Sequence, residues 1–275
     1  MNPTFHYTIG FIGGGNMATA LIVGLKQQGF NASNLLVVEL DETKRADLTT
    51  RLGVKTTQHL NVIAQYDVIV LAIKPQQLKA LAVELAPLLN TQLVISIAAG
   101  IRANDLSRWL GAYSSLIRAM PNTPAQIQAG ITGLYALPKV TEAQKGIATQ
   151  ILNTAGDTLW LNDEQALDAV TAISGSGPAY VFYLIEALQE AAIQLGLNAE
   201  QAKTLSIKTF KGASLLADTS TTPVNILREQ VTSKGGTTEQ GLLSLENLKV
   251  KQAIIQAAQA AEKRAKILGD QLGNE

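Results

Sequence analysis

Apolar residues in the first half of the chain fall in short runs, separated by segments with the period of a helix. Tyr7 to Ile12 is a short apolar run that reads as a strand, and three glycines follow it at once. Asn16 to Gln28 carries Met17, Ala20, Leu21 and Leu25 on one face, the spacing of an amphipathic helix, and Gly29 stands beyond its end as a cap. Leu35 to Val38 is a second strand ending at Glu39, and Asp41 to Leu52 is a helix closed by Gly53. Val68 to Ile73 is apolar without alternation, as in a parallel strand covered on both faces. A helix over Leu78 to Leu89, a strand over Leu93 to Ile97 and a strand over Leu116 to Ala119, broken by Pro121 and Pro124, continue the rhythm. Strand alternating with helix predicts an α/β domain of Rossmann type, with a doubly wound and mostly parallel sheet.

The pattern changes near Leu161. From Asn162 on there is no strand pattern. Pro178 to Leu195 is apolar nearly all round, which predicts a helix buried on every side. Further helices are predicted over Ala199 to Ala217, Val224 to Gln230, Thr238 to Leu248 and Val250 to Gly269; the last has Ile254, Ile255, Ala258 and Ala261 on one stripe. An all-α half of this size folds as a bundle, or shares its core with a second copy. The expected division is 1–161 for the α/β domain and 162–275 for the helical one.

Composition narrows the function classes. The chain has 275 residues, 47% hydrophobic and 16% charged, enough to bury a core in each of two domains. Its formal net charge is zero and it has no long Lys/Arg run, which argues against a nucleic-acid partner. It has no cysteine, so disulfides, thiolate metal sites and cysteine nucleophiles are excluded, in keeping with a reducing cytoplasm. With only His6 and His59, a His-rich zinc site is excluded too, and no metal is expected. Met1 to Thr8 lacks the basic start and apolar run of a signal peptide, and the apolar windows are too short to span a bilayer. The expected location is cytoplasmic.

Gly13-Gly14-Gly15-Asn16-Met17-Ala18 fits Gly-x-Gly-x-x-Gly/Ala between a strand and a helix. A residue without Cβ is needed where the strand turns, a second where a pyrophosphate meets backbone, and a small one where the helix packs on the sheet. The helix start at Gly15, Asn16 and Met17 then offers free N–H groups to the phosphates. Glu39, at the end of the second strand, is placed to take ribose hydroxyls and to disfavour a 2′-phosphate. Asp41 and Glu42 add to that repulsion, while Lys44 and Arg45 offset part of it. NADH is therefore expected to serve at least as well as NADPH. Other loops at strand C-termini face the same crevice: Ala72-Ile73-Lys74-Pro75, Ala98-Ala99-Gly100, and Met120 to Pro124 with Asn122.

Two stretches of the helical half, Ser174 to Tyr180 and Val231 to Thr238, combine hydroxyls and glycines just ahead of a helix. They suit either helix capping or the binding of a small anion such as a carboxylate.

Taken with Ala72-Ile73-Lys74-Pro75, Ser96 to Gly100 and Arg118 to Pro124, these motifs make the chain similar to the pyrroline-5-carboxylate reductase family, in order and spacing from about residue 8 to the last helix. The resemblance implies NADH- or NADPH-dependent reduction of 1-pyrroline-5-carboxylate to L-proline, the last step of proline synthesis. It also implies a helical domain that interlocks with a second copy, as a homodimer or a larger ring of dimers. On the family pattern the loop from Val231 to Thr238 holds the substrate carboxylate through Ser233 and the backbone around Gly235, Gly236 and Thr237. Thr238 serves the ring nitrogen as the one candidate catalytic residue, and Thr171 lies near the nicotinamide carboxamide. The chain departs from the family pattern in having Lys234 where Ser-Pro-Gly-Gly is common, and Glu39 where NADPH-preferring members have small polar or basic residues.

Two other readings compete. A 3-hydroxyacid dehydrogenase shares the two-domain layout but needs a lysine on the first long helix of its second domain. From Asp168 to Gly196 this chain has none, the next being Lys203. A non-catalytic dinucleotide sensor has no need of hydroxyl and glycine loops aimed at a small acid.

Overall fold

The computed structural model describes residues 5–274. Met1 to Thr4, part of the start read above as lacking a signal sequence, lie outside the described residues, as does Glu275. The α/β region runs β1 (Ile9–Ile12), α1 (Asn16–Gln27), β2 (Leu35–Val38), α2 (Glu42–Leu52), β3 (Lys55–Thr57), β4 (Val68–Leu71), α3 (Pro75–Leu85), β5 (Leu93–Ser96), α4 (Ala103–Trp109), β6 (Leu116–Met120), β7 (Gly130–Ala136), α5 (Glu142–Leu152) and β8 (Gly156–Trp160). The strands form one sheet in the order β3-β2-β1-β4-β5-β6-β7-β8. Every neighbouring pair is parallel except β6 with β7.

All residues of β1, β2, β4 and β5 are buried, because helices cover both faces; this is why these strands read as unbroken apolar runs. Ile9 pairs with Leu35 on one side and Val68 on the other. The chain leaves β1 toward β2, then returns across it to β4, so the order reverses at β1. In an open sheet of this kind, ligands bind outside the strand C-termini at that reversal.

The described chain then continues through α6 (Ala166–Val170), a π-helical turn Thr171–Gly175, α7 (Gly177–Gln194), α8 (Ala199–Thr219), α9 (Val224–Gln230), α10 (Thr237–Asn247) and α11 (Val250–Asn274). Strand structure ends at Trp160, beside the expected boundary. The compact units divide later, between Ser176 and Gly177, and the residues from Ala261 on belong with the first unit. Within that unit Arg102 pairs with Asp270 at 2.6 Å, and Arg108 donates to the Gly273 carbonyl at 2.9 Å.

A buried charge cluster ties α6 to the sheet. Arg118 of β6, 5% exposed, donates to Glu164 Oε1 at 2.9 Å, and the same oxygen accepts the Ala103 N–H that opens α4. Asp168 is buried beside them. Burial raises its pKa above the ordinary 3.8, while nearby Arg118 pulls it the other way. A carboxyl held above its unfolded pKa keeps its proton longer in the folded state. Stability then falls as pH rises through the window that starts near 3.8 and ends at the raised folded value. Asp168→Asn is expected to flatten that decline, so that melting midpoints of parent and variant diverge in the variant's favour from pH 4 to pH 7. A variant that melts lower at pH 7 than at pH 4, relative to parent, would show instead that the ionised carboxylate is worth more than its burial costs.

In the second unit α7 and α8 pack together. Gly196, with φ of +92°, ends the first, and Asn198 with Gln201 forms a capping box for the second. The burial expected for α7 does not hold within one chain: it has no buried residue, and Phe182 and Tyr183 are 64% and 72% exposed. Leu215, Leu216, Leu248 and Ile254 of the following segments are exposed as well. So many exposed large apolar side chains in one unit mark an interface.

Candidate functional site

The glycine turn is built as its chemistry requires. Gly13 has φ of +99°, and a Cβ there would stand 2.6 Å from the Ala72 carbonyl oxygen, so only glycine lets β1 turn this close to β4. Gly15 is the N-cap of α1, with ordinary φ of −73° and no side chain to cap the helix. A Cβ on it would meet nothing within 4 Å. The first N–H groups of α1, at Asn16 and Met17, thus open onto a cradle that a phosphate fits. Ala18 is fully buried, as close packing of helix on sheet demands.

Glu39 is fixed from two sides. Its Oε2 accepts the Gly14 N–H at 3.0 Å and its Oε1 the Asp41 N–H at 3.1 Å. The Gly14 amide is therefore committed to Glu39. Arg45 does not neutralise that carboxylate: its Nη1 donates to the carbonyls of Glu39 and Leu40 at 2.9 and 2.7 Å. A groove of about 600 Å³ runs from the glycine turn past Glu39, Asp41 and Lys44 to Ala72, Ile73 and Lys74. Lys74 is the N-cap of α3 and Pro75 its first residue, so the loop enters the helix in one fixed direction. Gln58, Leu60, Gln77, Leu81 and Glu84 complete the lining. No motif marks them, because they come from the loop after β3, a 3₁₀ turn and one face of α3.

The remaining crevice loops differ. Ala98 is buried, and Gly100, with φ of +77°, lies against Leu268 and Leu272 of α11. That turn is thus held by helix packing, and none of Ala98, Ala99 or Gly100 lines the groove. Asn122 is 8% exposed, with its amide bonded to Ser174 O and Ile131 N. Thr171 opens the π turn and donates to Leu167 O at 2.7 Å.

In the second unit, Gly236 is the N-cap of α10 and no side chain caps it. The amides at Thr237 and Thr238 therefore start the helix without an internal partner. Neither Ser233 nor Thr237 fills the capping role that the sequence left open. Ser233 Oγ sits over Gly236, where a Cβ would collide with it, and the Gly236 N–H bonds to Ser233 O at 3.0 Å. Gly235, with φ of +74°, donates its N–H to Glu239 at 2.8 Å. The absent proline at Lys234 is thus compensated by a bond from α10 back to the loop. Val231, Ser233, Thr237 and Thr238 are exposed. Glu186, a carboxylate within the largely apolar α7, is exposed, and no ion pair to it occurs among the described residues.

A Rossmann sheet whose glycine turn opens onto a dinucleotide-sized groove, followed by a helical region with an uncapped hydroxyl-bearing helix start, defines a nicotinamide-dependent oxidoreductase. Two family models match the chain: "NADP oxidoreductase coenzyme F420-dependent" over residues 8–100 and "Pyrroline-5-carboxylate reductase dimerisation" over 164–268. A pyrroline-5-carboxylate reductase of Pseudomonas aeruginosa is 42% identical over 96% of this chain and 98% of its own, and one of Bacillus subtilis is 35% identical over 96% and 95%. Among solved structures, a pyrroline-5-carboxylate reductase of Coxiella burnetii superposes with a TM-score of 0.91 at 42% identity, over 96% of this chain and 99% of that one. The Plasmodium falciparum enzyme, solved with NADP bound, gives 0.87 at 30% identity, over 97% and 100%. The chain belongs to the pyrroline-5-carboxylate reductase family. Its exposed α7 face lies within the part that matches the dimerisation model, so the core that one chain leaves open is completed by another copy.

Proposed function

We propose that this chain reduces 1-pyrroline-5-carboxylate to L-proline, with the Val231–Thr238 loop as its carboxylate site and Thr238 beside the imine nitrogen. The observation that carries the residue assignment is the uncapped start of α10 at Gly236, which leaves amides and hydroxyls facing outward together. When bound, NADH or NADPH supplies the hydride, which goes to the imine carbon while the nitrogen keeps a proton as the amine. Gly13, Gly15 and the start of α1 hold the pyrophosphate. Glu39 takes the adenosine ribose, Lys74 borders the same groove ahead of Pro75, and Thr171 orients the carboxamide. A protonated imine is already electrophilic, so orientation carries most of the rate enhancement and no histidine is required.

The working assembly is the homodimer, with larger rings built from it. Light scattering distinguishes twice the chain's mass from a higher multiple. A cytoplasmic location belongs to the same reading, in keeping with a chain free of cysteine. No described helix is long and apolar enough to cross a membrane.

The direct test is loss of reduced-nicotinamide absorbance when pyrroline-5-carboxylate is added. No oxidation with authentic substrate would restore the sensor reading. Thr238→Ala is expected to lower kcat about tenfold or more while NADH still binds. Unchanged turnover would remove Thr238 from the mechanism.

A further inference from the structure

Asn122 joins three segments of the first unit. From the loop that follows β6, its Nδ2 donates to the Ser174 carbonyl at 3.1 Å, and its Oδ1 accepts the Ile131 N–H of β7 at 3.0 Å. The first bond answers a deficit written in the sequence. In an α-helix the carbonyl of Ser174 would accept from the N–H four residues on, and residue 178 is proline, which has none. An unpaired carbonyl in a half-buried turn is costly. The Asn122 amide supplies the missing donor.

A second contact holds the same turn from the same side. Gly175 lies so close to Met120, the last residue of β6, that a Cβ on it would stand 2.7 Å from the Met120 methyl. Between these contacts the chain takes the wide π form, with Ser176 N bonded to Thr171 O at 2.8 Å. Such turns lack the close backbone packing of an α-helix, and they recur where a side chain must be aimed.

We propose that Asn122 is a positioning residue for hydride transfer. By replacing the donor that Pro178 lacks, it locks the π turn against the C-terminal end of β6 and so fixes where Thr171 is presented. This rests on the role given above to Thr171. Displacement of such a group by about 1 Å is enough to cost on the order of a hundredfold in rate.

Asn122→Asp keeps the volume and the acceptor for Ile131 but sets a carboxylate oxygen against the Ser174 carbonyl. With pyrroline-5-carboxylate as substrate, kcat is expected to fall about tenfold or more, while the dissociation constant for NADH, read by fluorescence, stays within about threefold. The isotope effect on kcat with NADH deuterated at the transferred position is expected to rise, because hydride transfer becomes the slow step. Gly175→Ala presses on the same turn from the Met120 side without touching Asn122, and is expected to raise the isotope effect as well, should Asn122→Asp fold poorly. Adding Pro178→Ala to Asn122→Asp returns a backbone N–H and is expected to recover part of kcat. An unchanged isotope effect in both single variants overturns the proposal, as does a loss of NADH affinity in step with kcat, or no recovery with Pro178→Ala. A parent protein inactive on this substrate would instead sink the functional reading.

Discussion

Gly15→Asp is expected to abolish NADH binding while leaving the protein as stable as the parent or more so. The position has a φ any residue adopts and open space where a side chain would go, so the fold loses nothing. Aspartate is among the preferred helix N-caps, and putting one in place of a glycine N-cap adds about a few tenths of a kcal/mol. The same carboxylate fills the phosphate cradle and puts a negative charge where two more must sit. A loss of affinity of about a hundredfold or more is expected by fluorescence titration, with a thermal midpoint at or above that of the parent. Gly13→Ala is the contrasting case. It strains a positive φ and drives a methyl into the Ala72 backbone, so stability falls along with binding. If Gly15→Asp keeps its affinity for NADH, the pyrophosphate does not lie on this turn.

Glu39→Ser is expected to move the ratio of kcat/KM for NADPH over NADH upward by about tenfold or more. The parent is expected to use NADH at least as well as NADPH. Two backbone N–H groups pin the carboxylate, so it cannot swing aside to admit a 2′-phosphate. Arg45 is occupied with carbonyls and does not relieve that repulsion, which leaves Lys44 and Lys74 as the cations lining the groove. A tenfold shift needs only about 1.4 kcal/mol, well within reach of two like charges a few ångströms apart. Measuring both specificity constants for parent and variant decides it; a strong NADPH preference in the parent sinks the assignment.

The parts of the fold that sequence patterning reveals are those buried from both sides. β1, β2, β4 and β5 stand within a residue or two of their apolar runs, and α9 matches its expected range end to end. β7 and β8 escape the pattern because glycines inside them read as turns. In the structure Gly130 and Gly156 mark the opposite of a turn: the two strands approach so closely that a Cβ on Gly156 would strike the Gly130 backbone. β3 and α4 are short, with too few apolar positions to show a period, whereas α5 carries Ile147, Ala148, Ile151 and Leu152 at helical spacing. The largely apolar α7 is correctly a helix, but its cover comes from outside the single chain, which no intrachain pattern encodes. Of the candidate site, the glycine turn and Glu39 are legible because their chemistry needs particular residues at fixed spacing. The commitment of Gly14 to Glu39, and of Asn122 to Ser174, depends on distances between segments far apart in sequence, and only the fold brings these together.

The return of the last residues to the first unit has a consequence for biosynthesis. Leu272 packs against the hydrophobic core of the α/β domain, and Asp270 and the Gly273 carbonyl hold Arg102 and Arg108. The α/β domain therefore takes part of its packing from residues translated after the helical segments α7 to α10. Gly100 and its neighbours stay uncovered until then. The nascent α/β layer is thus expected to lack this packing while the segments from α7 to α10 emerge.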